Sequence, residues 1–336
     1  MEESEREVLL RRNPIPATIF YVVCLLLSPA MLVGYVLWVA KIYLGRTSGV
    51  TGTAQGPLSA RWFQHRLGTR YDEPAHRLLM ALPGVSPLAV WLVFGPMLLA
   101  YRLSGYVPEA FRYPFKGDVS LQNQASARQT NYDSVVDRYL VGVTQFVILG
   151  AGFDTRAFRL PKEMSRQVRS FEVDTPETIA VKREVLKRAG IDPTGVVLVG
   201  ADFERDDWLT RLVDAGFNPK KPTLFLWEGV TPYLDRAAVE DTLRKVSGTA
   251  KGTILAFDYF TNEVLESKAL YLRLVRATLR AGGEPLKFGV DSTPPLSERV
   301  AELLRSCGLS LGEQRTLGQE TVEKRAWGGF ATAMVR

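Results

Sequence analysis

Histidine and cysteine are scarce in this chain of 336 residues, which has two of each. Both histidines, His65 and His76, lie in the first quarter of the chain, and Cys24 and Cys307 stand far apart. A disulfide framework, a zinc site with four Cys or His ligands, and a Ser-His-Asp or Cys-His catalytic group are therefore disfavoured. The chemistry must use carboxylates, arginine, tyrosine, backbone amides or a cofactor, and we expect no metal site.

The chain also has no strong excess of charge, because it contains 42 Lys and Arg and 36 Asp and Glu. A net charge of +6 is too small to indicate nucleic-acid binding unless it is clustered. The excess lies in residues 41–116, where nine Lys or Arg face three acids, and the rest of the chain is neutral. This basic segment flanks two uncharged runs, so it is placed to meet anionic lipid headgroups, and we expect no nucleic-acid partner.

The first uncharged run covers residues 18–40. About 20 apolar residues are enough to cross the hydrocarbon core, so this run predicts a transmembrane helix. Tyr21, Tyr35 and Trp38 lie near its ends, where aromatic side chains favour the interface. A buried hairpin of a soluble protein and a cleaved signal peptide are the alternatives.

The second uncharged run covers residues 78–101 and is interrupted by three prolines and two glycines. These residues favour two short helices that pack on protein or lie at the membrane surface, rather than a second crossing. The six Lys or Arg between residues 41 and 77 place this segment in the cytoplasm by the positive-inside rule. We therefore expect a single-pass membrane protein with an outer tail (1–17), a transmembrane helix (18–40), a basic helical cap (41–120) and a cytoplasmic catalytic domain (121–336).

Short apolar runs alternate with helical stretches from about residue 121 onward, which is typical of a doubly wound α/β sheet. The predicted strands are Gln145–Leu149, 170–173, Val196–Gly200, Thr223–Trp227 and 253–257. An acid stands one or two residues after the end of each of the last four predicted strands. These acids are Asp174, Asp202, Glu228 and Asp258. Ligands of open α/β sheets bind at the carboxyl ends of the strands, so four acids in register predict a nucleoside site.

The first strand continues into Gly150, Ala151 and Gly152, which would let the backbone turn sharply beneath a helix N-terminus. A tight turn without a ligand is the structural alternative. Thr155 stands where the dinucleotide fingerprint has a third glycine, so a pyrophosphate-binding loop is disfavoured. Asp174, which is 22 residues after Gly152, could accept hydrogen bonds from ribose hydroxyls or cap the next helix.

The tip of the third predicted strand carries an acid followed by an aromatic residue, Asp202 and Phe203. This pair suits an adenine, with Asp202 at the exocyclic amine and Phe203 at the ring face. Beyond the fifth strand, residues 264–281 predict a lid helix, and residues 309–311 and 330–335 predict a final antiparallel pair at one edge.

The motifs VILGAGFDTR at 147–156, FEVD at 171–174 and EGVTPY at 228–233 together resemble the leucine carboxyl methyltransferase family. The resemblance continues in Ala127 and Arg128 and in GEPLKFG at 283–289, and more faintly in DEPA at 72–75. Members are class I S-adenosylmethionine-dependent methyltransferases. The resemblance implies a Rossmann-like sheet of seven strands, the last antiparallel, and places residues 78–101 in a helical cap. The apolar run at 18–40 departs from the family pattern.

The resemblance also implies a set of residues that bind S-adenosyl-L-methionine. These are Arg128, Gly150, Ala151, Gly152, Asp174, Asp202, Phe203 and Glu228. Arg128 would hold the methionine carboxylate and Glu228 would face the amino group. Tyr233 would border the acceptor, and it forms with Asp258 the predicted catalytic pair.

The implied reaction is methyl transfer from a sulfonium to an oxygen atom. A carboxylate acceptor is already ionised at neutral pH and needs no base, which fits the scarcity of histidine. A hydroxyl acceptor would need Asp258, Glu228 or Tyr233 as its base. The apolar segments suggest a lipophilic or membrane-resident acceptor. The alternatives are a nicotinamide-dependent Rossmann oxidoreductase and a non-catalytic membrane scaffold with a degenerate nucleotide site.

Overall fold

The computed structural model describes residues 14–44, 52–117, 119–120, 122–321 and 324–336. The chain forms two compact units, residues 1–114 and residues 115–336. The second unit thus begins at Phe115, six residues before the predicted start of the catalytic domain. Each unit is described by itself.

The first unit is helical. Its helices are α1 (Ile15–Leu26), α2 (Ser28–Leu44), α3 (Gly52–Leu67), α4 (Glu73–Ala81) and α5 (Pro87–Ser104).

The predicted transmembrane helix over residues 18–40 is divided into α1 and α2, which meet at a bend of 63°. The break is at Leu27, two residues before Pro29, whose ring lacks an N–H and clashes with the preceding turn.

The second apolar run contributes the end of α4 and most of α5, so two helices were predicted correctly, but α5 is 18 residues long. Ser86 caps α5 through the amide of Ala89, and Asp72 caps α4 through the amide of Ala75. Of the helices in the described ranges, α5 alone is long and apolar enough by itself to cross a membrane. The bent pair of α1 and α2 passes the same test if it counts as one span.

The second unit contains one sheet of seven strands in the order β3-β2-β1-β4-β5-β7-β6. The strands are β1 (Gln145–Leu149), β2 (Arg169–Asp174), β3 (Val196–Gly200), β4 (Thr223–Trp227), β5 (Ile254–Phe260), β6 (Ser310–Leu317) and β7 (Gly328–Met334). Strands β1 to β5 pair in parallel, and β7 runs antiparallel between β5 and β6. The predicted α/β class and the antiparallel last strand are confirmed. The strand order reverses between β1 and β4, where ligands of such sheets bind.

The sheet carries helices on both faces. They are α6 (Gln124–Tyr139), α7 (Lys162–Gln167), α8 (Pro176–Arg188), α9 (Trp208–Asp214), α10 (Arg236–Ser247), α11 (Asn262–Glu266), α12 (Leu270–Ala281) and α13 (Leu296–Ser306). Successive side chains of β1 point to opposite faces, so Val147 and Leu149 enter one core cluster while Phe146 and Ile148 enter the other.

Four local predictions differ from the structure. The strand predicted over residues 309–311 is the longer β6, Ser310–Leu317. Strand β5 continues to Phe260, so Asp258 lies within the strand instead of after it. The predicted lid helix over 264–281 is two helices, α11 and α12. The segment after Gly152 forms a 3-10 turn at Arg156–Arg159 and not the start of an α-helix, so no helix N-terminus lies above the glycines.

Candidate active site

The turn after β1 brings the loops of β1 and β4 into contact at the point where the strand order reverses. Gly150 adopts a φ of 65°, and a Cβ atom at this position would lie 2.2 Å from a methyl carbon of Val230, in the β4 loop. Gly152 has a φ of 46°. Both values lie in the left-handed region that glycine tolerates best, so the two glycines are required by the turn itself. Ala151 is buried between them, and its amide donates to the carbonyl of Val173.

The carboxylate of Asp174 closes this turn from the tip of β2. Its Oδ2 accepts from the amide of Gly152 at 2.7 Å, and its Oδ1 accepts from the amide of Thr175 at 2.7 Å. The helix cap that was the alternative role belongs to Thr175, whose hydroxyl accepts from the amide of Thr178. Burial raises the pKa of Asp174, while the two amides act in the opposite direction. Each oxygen keeps a further lone pair, so a ribose hydroxyl can still be bound.

Asp202 lies at the tip of β3, beside Asp174, because the amide of Ala201 donates to the Asp174 carbonyl. Its side chain is 31% exposed and accepts from the amide of Glu204. Phe203 is a core residue, with its ring centroid 6.0 Å from Trp208 and 6.5 Å from Trp227. Asp202 is therefore open to a ligand, whereas the contact of the Phe203 ring face with adenine stays a prediction.

Arg128 on α6 and Asp258 within β5 form a largely buried ion pair. Nη2 of Arg128 lies 2.9 Å from Oδ2 of Asp258. The other carboxylate oxygen accepts from the amide of Gly229 at 2.6 Å. The hydroxyl of Tyr132 lies 3.0 Å from this oxygen and 2.9 Å from the carbonyl of Trp227, and its one hydrogen is shared between them. These contacts suit a role of Asp258 in positioning Arg128 and the loop of β4. The catalytic role of Asp258 stays a prediction.

The guanidinium of Arg128 keeps capacity for a ligand. Its Nε is buried and has no hydrogen-bond partner. Burial lowers the pKa of Arg128, but Asp258 and Glu228 outweigh this effect and the pKa is raised overall. A permanently charged guanidinium with a free donor fits the carboxylate of an amino-acid ligand.

Glu228, at the end of β4, is held by an arginine that the sequence analysis gave no role. Arg156 is 1% exposed, and its Nη1 lies 2.5 Å from Oε2 of Glu228. The same guanidinium pairs with Asp154 and, through Nε at 2.8 Å, with Asp133. Burial lowers the pKa of Arg156, but these three carboxylates raise it well above the usual value. The sequence signal for Arg156 was its place at the end of the 147–156 motif.

A second buried ion pair supports the same turn from behind β2. Lys182 Nζ lies 2.5 Å from Glu172 Oε2, and both side chains are fully buried. Lys182 also donates to the carbonyl of Asp154 at 3.1 Å. This lysine is on α8, on the same buried face as Ile179 and Val185, and the sequence analysis gave it no role.

Tyr233 lies in a 3-10 turn (Thr231–Tyr233) and lines a cavity of about 220 Å³ together with Arg128 and Gly229. The remainder of the cavity wall is Gln124 and a mostly apolar set: Pro232, Phe260, Val264, Tyr271, Leu272, Val275, Leu279 and Leu286. Burial raises the pKa of Tyr233, so the phenol is protonated at neutral pH. The amides of Lys287 and Phe288 donate to the carbonyl of Pro232, which ties the 283–289 motif to this turn.

The predicted residues all lie within the second unit, at or near the carboxyl ends of β1 to β5 or, for Arg128, on α6. Gly150 and Gly152 set the turn after β1 with left-handed φ angles, and Arg128 offers a buried donor without a partner. These observations fit a ligand with a carboxylate at one end and a nucleoside at the other. Among the residues that the structure describes, no group of three or more His, Cys, Asp or Glu is placed to hold a metal ion.

Comparison with known proteins agrees with the motifs. The family model for leucine carboxyl methyltransferases matches residues 114–247. A Mycolicibacterium smegmatis protein named "Putative S-adenosyl-L-methionine-dependent methyltransferase" is 37% identical over 173 residues, which are 48% of this chain and 52% of that protein. A Saccharopolyspora erythraea protein of the same name is 32% identical over 201 residues, 56% of this chain and 68% of that protein. The chain spans about half the length of the curated relatives it matches.

Among solved structures, a duf574 family protein from Streptomyces avermitilis aligns with a TM-score of 0.47 at 15% identity, over 83% of this chain and 97% of that one.

Proposed function

Because the chain belongs to the leucine carboxyl methyltransferase family, we propose that it is an S-adenosyl-L-methionine-dependent O-methyltransferase. This proposal rests on the Arg128 guanidinium. Arg128 pairs with Asp258 beside the loop of β4, and its buried Nε has no hydrogen-bond partner. S-adenosyl-L-methionine, when bound, supplies an electrophilic methyl group on its sulfonium.

The residues of the crevice would orient that cofactor. Arg128 would bind the methionine carboxylate, and Glu228 would accept from the ammonium. Asp174 would accept from the ribose hydroxyls, and Asp202 would accept from the adenine amine. The glycines at 150 and 152 would let the backbone approach the methionine part. Alignment and exclusion of water are the main contributions a protein makes to such a displacement.

We propose a carboxylate as the acceptor. Asp258 is surrounded by donors, Glu228 is held by Arg156, and the raised pKa of Tyr233 keeps it protonated. None of the three predicted bases is therefore suited to deprotonate a hydroxyl. A carboxylate has a pKa of about 4 and is ionised without a base. Tyr233 could instead donate a hydrogen bond to the acceptor.

The acceptor cavity supports a lipophilic substrate. Its walls are largely side chains of α12 and neighbouring apolar residues, and Arg128 and Tyr233 are its polar end. A small apolar pocket with few polar groups favours an acceptor that buries a hydrocarbon part and presents one charged group.

We also propose that the first unit attaches the enzyme to a membrane, with the catalytic unit in the cytoplasm. The bent pair of α1 and α2 and the helix α5 pass the length and hydropathy test for a span. The basic residues after Lys41 favour the cytoplasmic side.

Calorimetric titration of the purified full chain with S-adenosylhomocysteine and with NADH tests the cofactor. We expect binding of the first and none of the second; the reverse would replace the methyltransferase by the oxidoreductase. Incubation with labelled methyl donor and a lipid extract then tests the reaction, and we expect label in a base-labile ester. Cofactor binding without any labelled product would favour the scaffold.

A further inference from the structure

The first unit changes in polarity from one side of α5 to the other. Helices α1 and α2 both pack on α5, and so does α3. From Ile15 to Ala40 the chain carries no charged residue, whereas α3 and α4 carry arginines, histidines and an acid. Polarity that changes along a helix axis indicates a helix that crosses a bilayer. Polarity that changes from one side of a helix to the other indicates a helix that lies in the bilayer surface.

Helix α2 crosses α5 in close contact. A Cβ atom at Gly34 would lie 2.6 Å from the Cβ of Leu92 and 3.0 Å from both the carbonyl of Ala89 and the amide of Val93. Ala89, Leu92 and Val93 therefore mark the side of α5 that faces α2.

Helix α3 lies on the other side of α5. The ring of Trp62 is 5.7 Å from the ring of Trp91, and the Arg66 guanidinium lies 5.1 Å from the same ring. At 3.6 residues per turn, Trp91 points roughly opposite to Ala89. Most of α5 thus lies between the uncharged helices and α3, although Nε1 of Trp38 on α2 also donates to Oε1 of Gln55 on α3 at 3.1 Å.

The outer face of α1 and α2 is apolar and exposed. Its exposed side chains are Ile15, Ile19, Tyr21, Val22, Leu25, Leu26, Leu32, Val33, Tyr35, Val36 and Leu37. Leu88, Leu99 and Leu103 of α5 are also exposed, and they lie on the same side of α5 as Leu92. An uncharged surface of this extent requires an apolar partner.

We propose that α1 and α2 lie flat in one leaflet of a membrane, parallel to its surface, and do not cross it. This inference rests on the membrane attachment proposed above. A spanning helix meets water, hydrocarbon and water in succession along its axis, whereas an in-plane helix has lipid on one side and water on the other. The polarity of this unit changes across α5, from the outer face to Arg66, and so matches the second case.

A crossing would carry charge into the hydrocarbon. Because α5 packs beside α1 and α2, and Arg66 of α3 lies against Trp91 of α5, the Arg66 guanidinium would reach the same depth as this part of α5. A charge at the centre of a bilayer is costly. The in-plane arrangement keeps Arg66 on the water side.

The side chains at the edge of the outer face are of the kinds found among lipid headgroups. The ring of Tyr21 lies 5.8 Å from the ring of Tyr106, and the Arg112 guanidinium lies 5.9 Å from Tyr106. Aromatic rings with polar tips and cations are enriched at this level. Lys41, at the end of the uncharged stretch, is a further cation at this level. Because cations attract anionic headgroups, we expect the leaflet to carry anionic lipids.

Flotation with vesicles of phosphatidylethanolamine and phosphatidylglycerol tests attachment. We expect the full chain to float, and the double substitution Leu25→Glu with Val36→Glu to lower the bound fraction at least tenfold. Tyr71→Glu is the matched control, because Tyr71 is 74% exposed on the charged side, and it should float like the unchanged chain. A chain that does not float refutes attachment itself, and with it this inference.

Depth measurement on the floated protein tests the orientation separately. Spin labels would be placed through Ile19→Cys, Leu26→Cys and Val36→Cys, one at a time, with Cys24→Ser. In-plane helices put all three labels at one shallow depth, about 5–10 Å below the headgroup boundary. A span puts the label at 26 about 10 Å deeper than the label at 19, from seven residues at 1.5 Å each. That gradient in a protein that floats would overturn the in-plane arrangement while leaving attachment intact.

Discussion

Arg128 on α6 and Asp258 on β5 are joined by an ion pair of 2.9 Å at the centre of the candidate active site. The same carboxylate holds the amide of Gly229 and the hydroxyl of Tyr132. One acid thus fixes an arginine, a glycine loop and a tyrosine in a single arrangement. We expect its role to be positioning, and the following changes separate that role from proton transfer.

Replacing Asp258 by asparagine should weaken cofactor binding. The amide keeps the shape but loses the charge that orients Arg128, so we expect the Kd for S-adenosylhomocysteine to rise about tenfold or more. A catalytic base would behave otherwise: its loss would lower kcat, leave Kd unchanged and remove an acid limb from the pH profile. Titration calorimetry with pH-dependent turnover distinguishes the two, and an unchanged Kd would show that the positioning role is wrong.

Arg128→Lys should be nearly as damaging as Arg128→Ala, because a single ammonium cannot pair with Asp258 and a ligand carboxylate together. We expect a loss of about 1.5–3 kcal/mol in cofactor binding, or roughly 10- to 100-fold in Kd. Arg138→Ala is the control on the same helix, since Arg138 is 54% exposed and pairs with Glu313 on the surface. Equal affinities of all three variants would argue against a ligand at Arg128.

Asp174→Asn should weaken cofactor binding and also loosen the turn at Gly152, because an amide can accept from only one of the two backbone amides. Burial raises the pKa of Asp174 above 3.8. Ribose hydroxyls need the ionised acceptor, so affinity should fall as the pH is lowered toward the raised pKa, at a higher pH than a free aspartate would give. The asparagine variant should lack this pH dependence. Titrations from pH 8 down into the acid range measure it, and identical pH curves for both proteins would refute the assignment.

Much of the sheet could be predicted from sequence. Strands β1, β3 and β4 have the predicted bounds, because strands buried on both faces read as continuous apolar runs. The predicted end of strand β5, at residue 257, came too early because Asp258 interrupts the apolar run of the strand. A buried acid in mid-strand is tolerated here only because Arg128 is placed against it.

The supports of the site could not be predicted, since they depend on pairs that are distant in the chain. Arg156 meets Glu228, 72 residues later, and nothing in either local sequence indicates that the arginine is buried. The bend at Leu27 was missed for a different reason: Pro29 is tolerated in membrane helices, so the sequence alone could not show that the helix breaks there.

The buried pair of Lys182 and Glu172 makes a prediction about stability and pH. Burial raises the pKa of Glu172 from 4.5 to about 7, although Lys182 opposes the shift. Between these two values the folded carboxyl keeps a proton that the unfolded chain has released. Stability must therefore fall as the pH rises from about 4.5 to about 7, by at most about 3 kcal/mol. Thermal unfolding at pH 5 and pH 7.5 should show the lower Tm at pH 7.5.

Substitutions isolate the pair from other titrating groups. Lys182→Met should cost about 3–5 kcal/mol at pH 7.5, because it leaves the Glu172 carboxylate buried without its cation. The double variant with Glu172→Gln should recover most of that loss and show a smaller difference in Tm between the two pH values. Lys187→Met, at an exposed position of the same helix, should match the unchanged protein. If the double variant were no more stable than Lys182→Met alone, the two side chains would not be coupled, and the pH dependence would have to come from another group.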